Sequence, residues 1–104
     1  MAAQVELLWW DGCPSSEEAH SLVRRAMEEA GLDPESLRSV EIDTDDAAER
    51  EGFIGSPTIR VDGRDIRPPS EPEAPGLTCR VYNLRDGRVS PLPDPEDIKE
   101  ALSA

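Results

Sequence analysis

Gln4 to Trp10 (Gln-Val-Glu-Leu-Leu-Trp-Trp) is apolar on both alternating faces except at Glu6. A strand covered on both sides has that pattern, so the segment predicts a central strand. Asp11-Gly12 breaks it. Pro14 suits a first helical position, where its missing N–H costs nothing. Ser15 stands three residues before Glu18 as in a capping box, which makes Cys13 or Ser15 the expected N-cap. Ala19, Leu22, Val23, Ala26, Met27 and Ala30 then recur at helical spacing, with Gly31 as the stop.

Ser39 to Asp43 alternates strictly, as a half-exposed edge strand does. Asp43 or Thr44 is expected to cap a short acidic helix that ends at Gly52. Thr58 to Asp62 predicts a third strand, and Asp62-Gly63 a tight turn into Arg64–Arg67. Residues 68–76 carry four prolines in nine positions, which is incompatible with a helix and reads as an extended loop. Leu77 to Asn83 resumes strand character, Asp86-Gly87 turns, and Pro95 to Leu102 predicts a closing helix capped by Asp94.

At 104 residues the chain is expected to form one domain. Its aromatic residues are Trp9, Trp10, Phe53 and Tyr82, so the core must rest on Leu, Val, Ile and Ala. With 23 acidic and 11 basic residues the net charge is −12. That balance argues against nucleic acid and anionic membrane as partners, because phosphate contacts need clustered Lys and Arg. Residues 58–92 depart from it, with five acids and six arginines. No basic leader or membrane-spanning run is visible, which sets cytoplasmic as the expected compartment.

A thiol at the end of a strand and the start of a helix is a nucleophile in waiting, so Cys13 is expected to be at least partly exposed and to react faster than Cys79. A free cysteine is mostly protonated at neutral pH, and unpaired helix N–H groups favour its anion. Asp11, Glu17 and Glu18 oppose this, and the two influences leave the sign of the net shift open. His20 lies seven residues from Cys13, about 10 Å along a helix axis, and is therefore read as a helix-surface residue rather than a base. Cys79 alternates with Leu77 and Val81 and is expected to face the core.

The order strand, thiol, helix, strand, helix, then Gly52-Phe53-Ile54-Gly55-Ser56-Pro57-Thr58-Ile59 resembles the thioredoxin superfamily. The resemblance covers residues 4–63 and the last helix and fails over about 64–92. It implies a three-layer α/β/α sandwich with a mixed sheet, interrupted by a Pro-rich insert before the C-terminal helix. Cys13 takes the place of the nucleophile, Pro14 that of the glutaredoxin proline, and Pro57 that of the cis-proline. Ser16 stands where the resolving cysteine would be. The resemblance is thus to monothiol members, which form mixed disulfides and use an outside thiol such as glutathione as co-substrate.

A small thiol or a protein disulfide is the implied partner. Trp10, Pro14, Ser56 and Thr58 are expected to border it, and the backbone of Ser56 to pair with an extended substrate. The insert is expected to fold back toward Cys13, bringing a cationic wall through Arg67 or Arg80. Cys79 carries a second role, as a resolving thiol that compensates for Ser16. No cofactor and no structural zinc are expected, since two lone cysteines do not make a zinc-ligand spacing. Two readings from other classes stand beside exchange. One is a module that binds a soft metal or an organomercurial through Cys13 and Cys79. The other is a degenerate thioredoxin fold used for protein interaction.

Overall fold

The computed structural model describes residues 3–103. Strands β1 (Val5–Trp9), β2 (Arg38–Glu41), β3 (Thr58–Val61) and β4 (Arg64–Asp65) form one mixed sheet in the order β2-β1-β3-β4. Helices α1 (Ser16–Glu29) and α2 (Asp45–Glu51) connect β1 to β2 and β2 to β3. A separate hairpin of β5 (Tyr82–Asn83) and β6 (Val89–Ser90) precedes α3 (Pro95–Ser103). Among the described residues no helix is long and apolar enough to cross a membrane.

The alternation of β1 divides the core in two. Val5 and Leu7 pack with Ile59 against Ala19, Val23, Ala26 and Met27 of α1 and Ile98 of α3. Leu8 faces the other way, onto Ile42, Ala48 and Phe53 on the α2 side. A strand that buries side chains on both faces must be central, and β1 pairs with β2 in parallel and with β3 in antiparallel fashion.

Local chemistry sets the ends of both crossover helices. At the end of α1, Gly31 has φ +80°, and two bonds form a Schellman closure. In it the Leu32 N–H donates to the Met27 carbonyl at 2.8 Å and the Gly31 N–H to that of Glu28 at 3.1 Å. Thr44 caps α2 by accepting from the Ala47 N–H at 3.0 Å, and Gly52 ends it at φ +65°. That ending turns Phe53 into the α2-side core and aims the following residues at the C-terminal end of β1. In the β1–β3 register Thr58 stands opposite Leu8, so Gly55-Ser56-Pro57 passes beside the loop that carries Cys13.

Three expectations are corrected. The capping box at Ser15 and Glu18 does not form: Ser15 makes no side-chain cap, and α1 starts at Ser16, past Cys13 and Pro14. The expected strand from Leu77 to Asn83 shrinks to Tyr82–Asn83, with one isolated parallel bridge between Ser56 and Cys79. Its facing is also reversed at Cys79. Cys79 and Val81 look outward, Val81 being 66% exposed, while the side chains of Arg80 and Tyr82 turn inward. A period of two lets one step of register exchange the faces, and the Arg80 ion pair described below fixes which face wins.

Candidate functional site

Cys13 sits in the tight turn after β1, where its N–H donates to the Trp10 carbonyl at 3.0 Å. It is 2% exposed, which corrects the expectation of a partly open thiol. The Ser15 hydroxyl lies 3.3 Å from its Sγ, and the Ser56 carbonyl lies 3.7 Å away, within reach of the thiol's proton. The Ser15 hydroxyl therefore faces the sulfur instead of capping the helix. Ser15, and not Ser16, supplies the hydroxyl on the thiol. Ser16 opens α1, and its carbonyl accepts from His20 Nδ1 at 2.7 Å.

The Ser56–Pro57 peptide is cis, and Ser56 and Pro57 are both fully enclosed. Ser56 Oγ is buried with no hydrogen-bond partner among the described residues. The backbone of Ser56 is taken. Its N–H donates to the Thr78 carbonyl at 2.8 Å, and its carbonyl accepts from the Arg80 N–H at 2.8 Å. Residues 78–80 thus occupy the place expected for an extended substrate, and they set Cys79 beside Ser56.

The two thiols shift each other in opposite directions. Burial pushes the Cys13 thiol up, but hydrogen bonds from Cys79, from the Ser15 side chain and backbone, and from Ser56 outweigh it and hold the group below its ordinary value. The Ser56 hydroxyl is the weakest of these and acts beyond ordinary hydrogen-bond reach, in keeping with its lack of a partner. For Cys79, the bond to Cys13, then burial and the Cys13 charge, push the thiol up. Together these directions make Cys13 the more readily ionised of the two thiols. The exposed position of Cys79 corrects its expected place in the core.

Arg80 holds this arrangement. Its side chain is 9% exposed, with Nη1 donating to Asp65 Oδ2 at 2.7 Å and Thr58 Oγ1 at 3.3 Å, and Nη2 to the Arg67 carbonyl at 2.8 Å. The guanidinium also lies 4.6 Å from the centroid of the Tyr82 ring. The buried Tyr82 hydroxyl donates to the Pro57 carbonyl, and burial is the first cause that pushes its pKa up. Gly55, at φ +144°, leaves the room Arg80 needs: a Cβ there would fall 2.5 Å from Arg80 Cγ.

The insert folds back beside Ser56 as expected, and Arg67 and Arg80 carry paired charge there. The charge of Arg80 is matched by Asp65, and Arg67, half exposed, stands 3.8 Å from Asp97. Arg67 and Arg80 do line, with Cys79, a cavity of about 530 Å³ walled by Pro68 and Pro69. The Trp10 ring packs with the α2-side core, so its backbone carbonyl is what meets Cys13. Thr58 Oγ1 donates to the Gly55 carbonyl at 2.6 Å and steadies the turn, and Pro14 is exposed before α1. Trp9, Ser39 and His20 form a satisfied polar chain through Ser39 Oγ.

Ser15, Gly55, Asp65 and Tyr82 belong to the site and carry no signal of it in the sequence. Among the described residues no group of three or more His, Cys, Asp or Glu side chains is placed to hold a metal ion. Cys13 and Cys79 are the two thiols that a soft one would use. No family model, curated protein or solved structure matches the chain.

Proposed function

We propose that the chain is a thioredoxin-like domain that carries out thiol–disulfide exchange through the Cys13 thiolate and the Cys79 thiol. One observation carries this reading: the backbone of Ser56 has the buried Cys13 sulfur 3.7 Å from its carbonyl and the exposed Cys79 paired beside it, and the opposite shifts of the two thiols fit that placement. Exchange needs a thiolate to attack or to leave, and Ser15 with Cys79 supplies hydrogen bonds that favour one. The order of β1, α1, β2, α2 and β3, with Ser56-Pro57 beside the sulfur, supports the thioredoxin-like assignment. Cys79 provides the second thiol that Ser16 does not, and glutathione is the co-substrate this reading proposes.

A second reading uses the same two sulfurs to capture a soft cation such as copper(I) or mercury(II), which two thiolates suit. Catalysed exchange between glutathione and a small disulfide separates the readings. The two-thiol reading expects acceleration by the native protein and the uncatalysed rate with either Cys13→Ala or Cys79→Ala. Activity retained by Cys79→Ala would instead show monothiol exchange at Cys13. No acceleration by the native protein would contradict exchange altogether.

A further inference from the structure

We propose that Cys79 is the sulfur that outside thiols meet, that Cys13 is the leaving group buried behind it, and that the partner is a small thiol rather than an extended peptide. The inference rests on the two-thiol reading above and assigns the two sulfurs roles that neither position in the sequence suggests.

Access decides the first part. Cys13 is 2% exposed, enclosed by Ser15 and by the backbone of Ser56. Cys79 is exposed and lines the cavity of about 530 Å³ that the proline-rich insert walls off. In a Cys13–Cys79 disulfide, an incoming thiolate therefore reaches the Cys79 sulfur first. Exchange proceeds at the sulfur that can be reached, and it is fastest when the departing thiolate is the more stable. Cys13 fits departure, with the Ser15 hydroxyl 3.3 Å from its sulfur.

The outside thiolate bonds to Cys79 Sγ, the bond between the two protein sulfurs breaks, and its electron pair leaves on Cys13. A second outside thiolate attacks the outside sulfur of the mixed disulfide, and Cys79 departs and takes a proton from solvent. Two small thiols are thereby oxidised to one disulfide, and the protein disulfide is reduced to two thiols. A small disulfide drives the reverse sequence.

Occupancy decides the second part. An extended peptide beside this site would pair with the N–H and carbonyl of Ser56. Thr78 and Arg80 hold both at 2.8 Å, and the part-buried Arg80–Asp65 pair anchors them there. The cavity beside Cys79 remains for a small molecule.

The test mixes the native protein in its disulfide form with reduced glutathione, quenches with acid and maps the adduct by mass spectrometry. Glutathione on Cys79 with Cys13 free is expected, and glutathione on Cys13 overturns the assignment. Absence of a Cys13–Cys79 disulfide before mixing would defeat the two-thiol reading itself, which is a different failure. Single-cysteine variants decide the roles even where the adduct is short-lived. With oxidised glutathione, Cys13→Ala, which keeps Cys79, reacts at least about tenfold faster than Cys79→Ala; the reverse order overturns the roles. An extended cysteine-containing peptide should reduce the native disulfide at least about tenfold more slowly than glutathione does, and equal rates overturn the restriction to small thiols.

Discussion

Ser56 and Cys79 lie side by side as a parallel bridge, held by two backbone bonds of 2.8 Å, from the Ser56 N–H to the Thr78 carbonyl and from the Arg80 N–H to the Ser56 carbonyl. The bridge joins residues 23 positions apart and places an exposed thiol against a buried one. Gly76 extends the contact by donating its N–H to the Phe53 carbonyl at 3.0 Å, and Leu77 packs on the α2-side core. A segment that reads as a loop is thereby made part of the site.

The ion pair of Arg80 and Asp65 anchors that segment, and its loss is expected to be costly. Breaking a buried pair by removing one partner leaves the other charge uncompensated, at about 3 kcal/mol. Because the Arg80–Asp65 pair is part-buried, Arg80→Met should lower stability by a smaller amount, about 2 kcal/mol, in urea unfolding and should raise amide exchange at Ser56 and Arg80. A change within the error of the urea fit would show that Arg80 does not hold the insert.

Gly55→Ala tests the close approach. The new Cβ would lie 2.5 Å from Arg80 Cγ, on a backbone whose φ of +144° side chains rarely adopt. The variant should lose about 2 kcal/mol of stability and alkylate faster at Cys13, because residues 78–80 no longer cover it. Gly63→Ala, at φ +82° with no heavy atom within 4 Å of the new Cβ, serves as the strained but unclashed comparison and should leave Cys13 protected. Equal exposure of Cys13 in both variants would contradict the covering role.

Much of this fold was legible in the sequence because period and punctuation agree. The apolar run of β1, the caps at Gly31 and Thr44, and the Asp62-Gly63 turn with φ of +52° and +82° each rest on local chemistry. At the site, Cys13, Ser56, Pro57 and Thr58 were legible, as were Cys79 as a second thiol and the arginines of the insert, but not how Cys79 and Arg80 face. Alternation could not place Cys79, since Arg80 was drawn inward by Asp65, fifteen residues away, and carried its neighbours with it. Ser15 was read as a cap for the same kind of reason. Its hydroxyl chooses between a helix N–H and a sulfur, and only the folded turn decides.

The thiol pair should titrate in two separated steps. Thiolate absorbance in the ultraviolet should show one group ionising below the ordinary thiol value of 9.0 and a second above it. Cys79→Ala should raise the first step, because the Cys79 thiol is the largest of the groups that lower Cys13. Cys13→Ala should bring the remaining step down, since the bond to Cys13 is what mainly raises Cys79. Unchanged titration of either survivor would contradict direct coupling.

The same shifts give stability a defined pH dependence. Between the lowered Cys13 value and 9.0 the unfolded chain holds more thiol protons than the folded one, so the pair's contribution rises with pH. Above 9.0 the folded protein keeps the Cys79 proton that the unfolded chain has lost, and the contribution falls. The difference in unfolding free energy between the native protein and the Cys13→Ala, Cys79→Ala double variant should therefore peak near the ordinary thiol value. A difference that does not vary with pH would contradict both shifts.

The central claim is that Cys13 and Cys79 work as one redox pair. Equilibration of the native protein in glutathione buffers of graded potential, followed by acid quench and peptide mapping, measures this directly. The account predicts a single two-electron transition to a linked Cys13–Cys79 peptide, with a midpoint independent of protein concentration. Two independent glutathione adducts, or thiols that remain free in the most oxidising buffer, would contradict it.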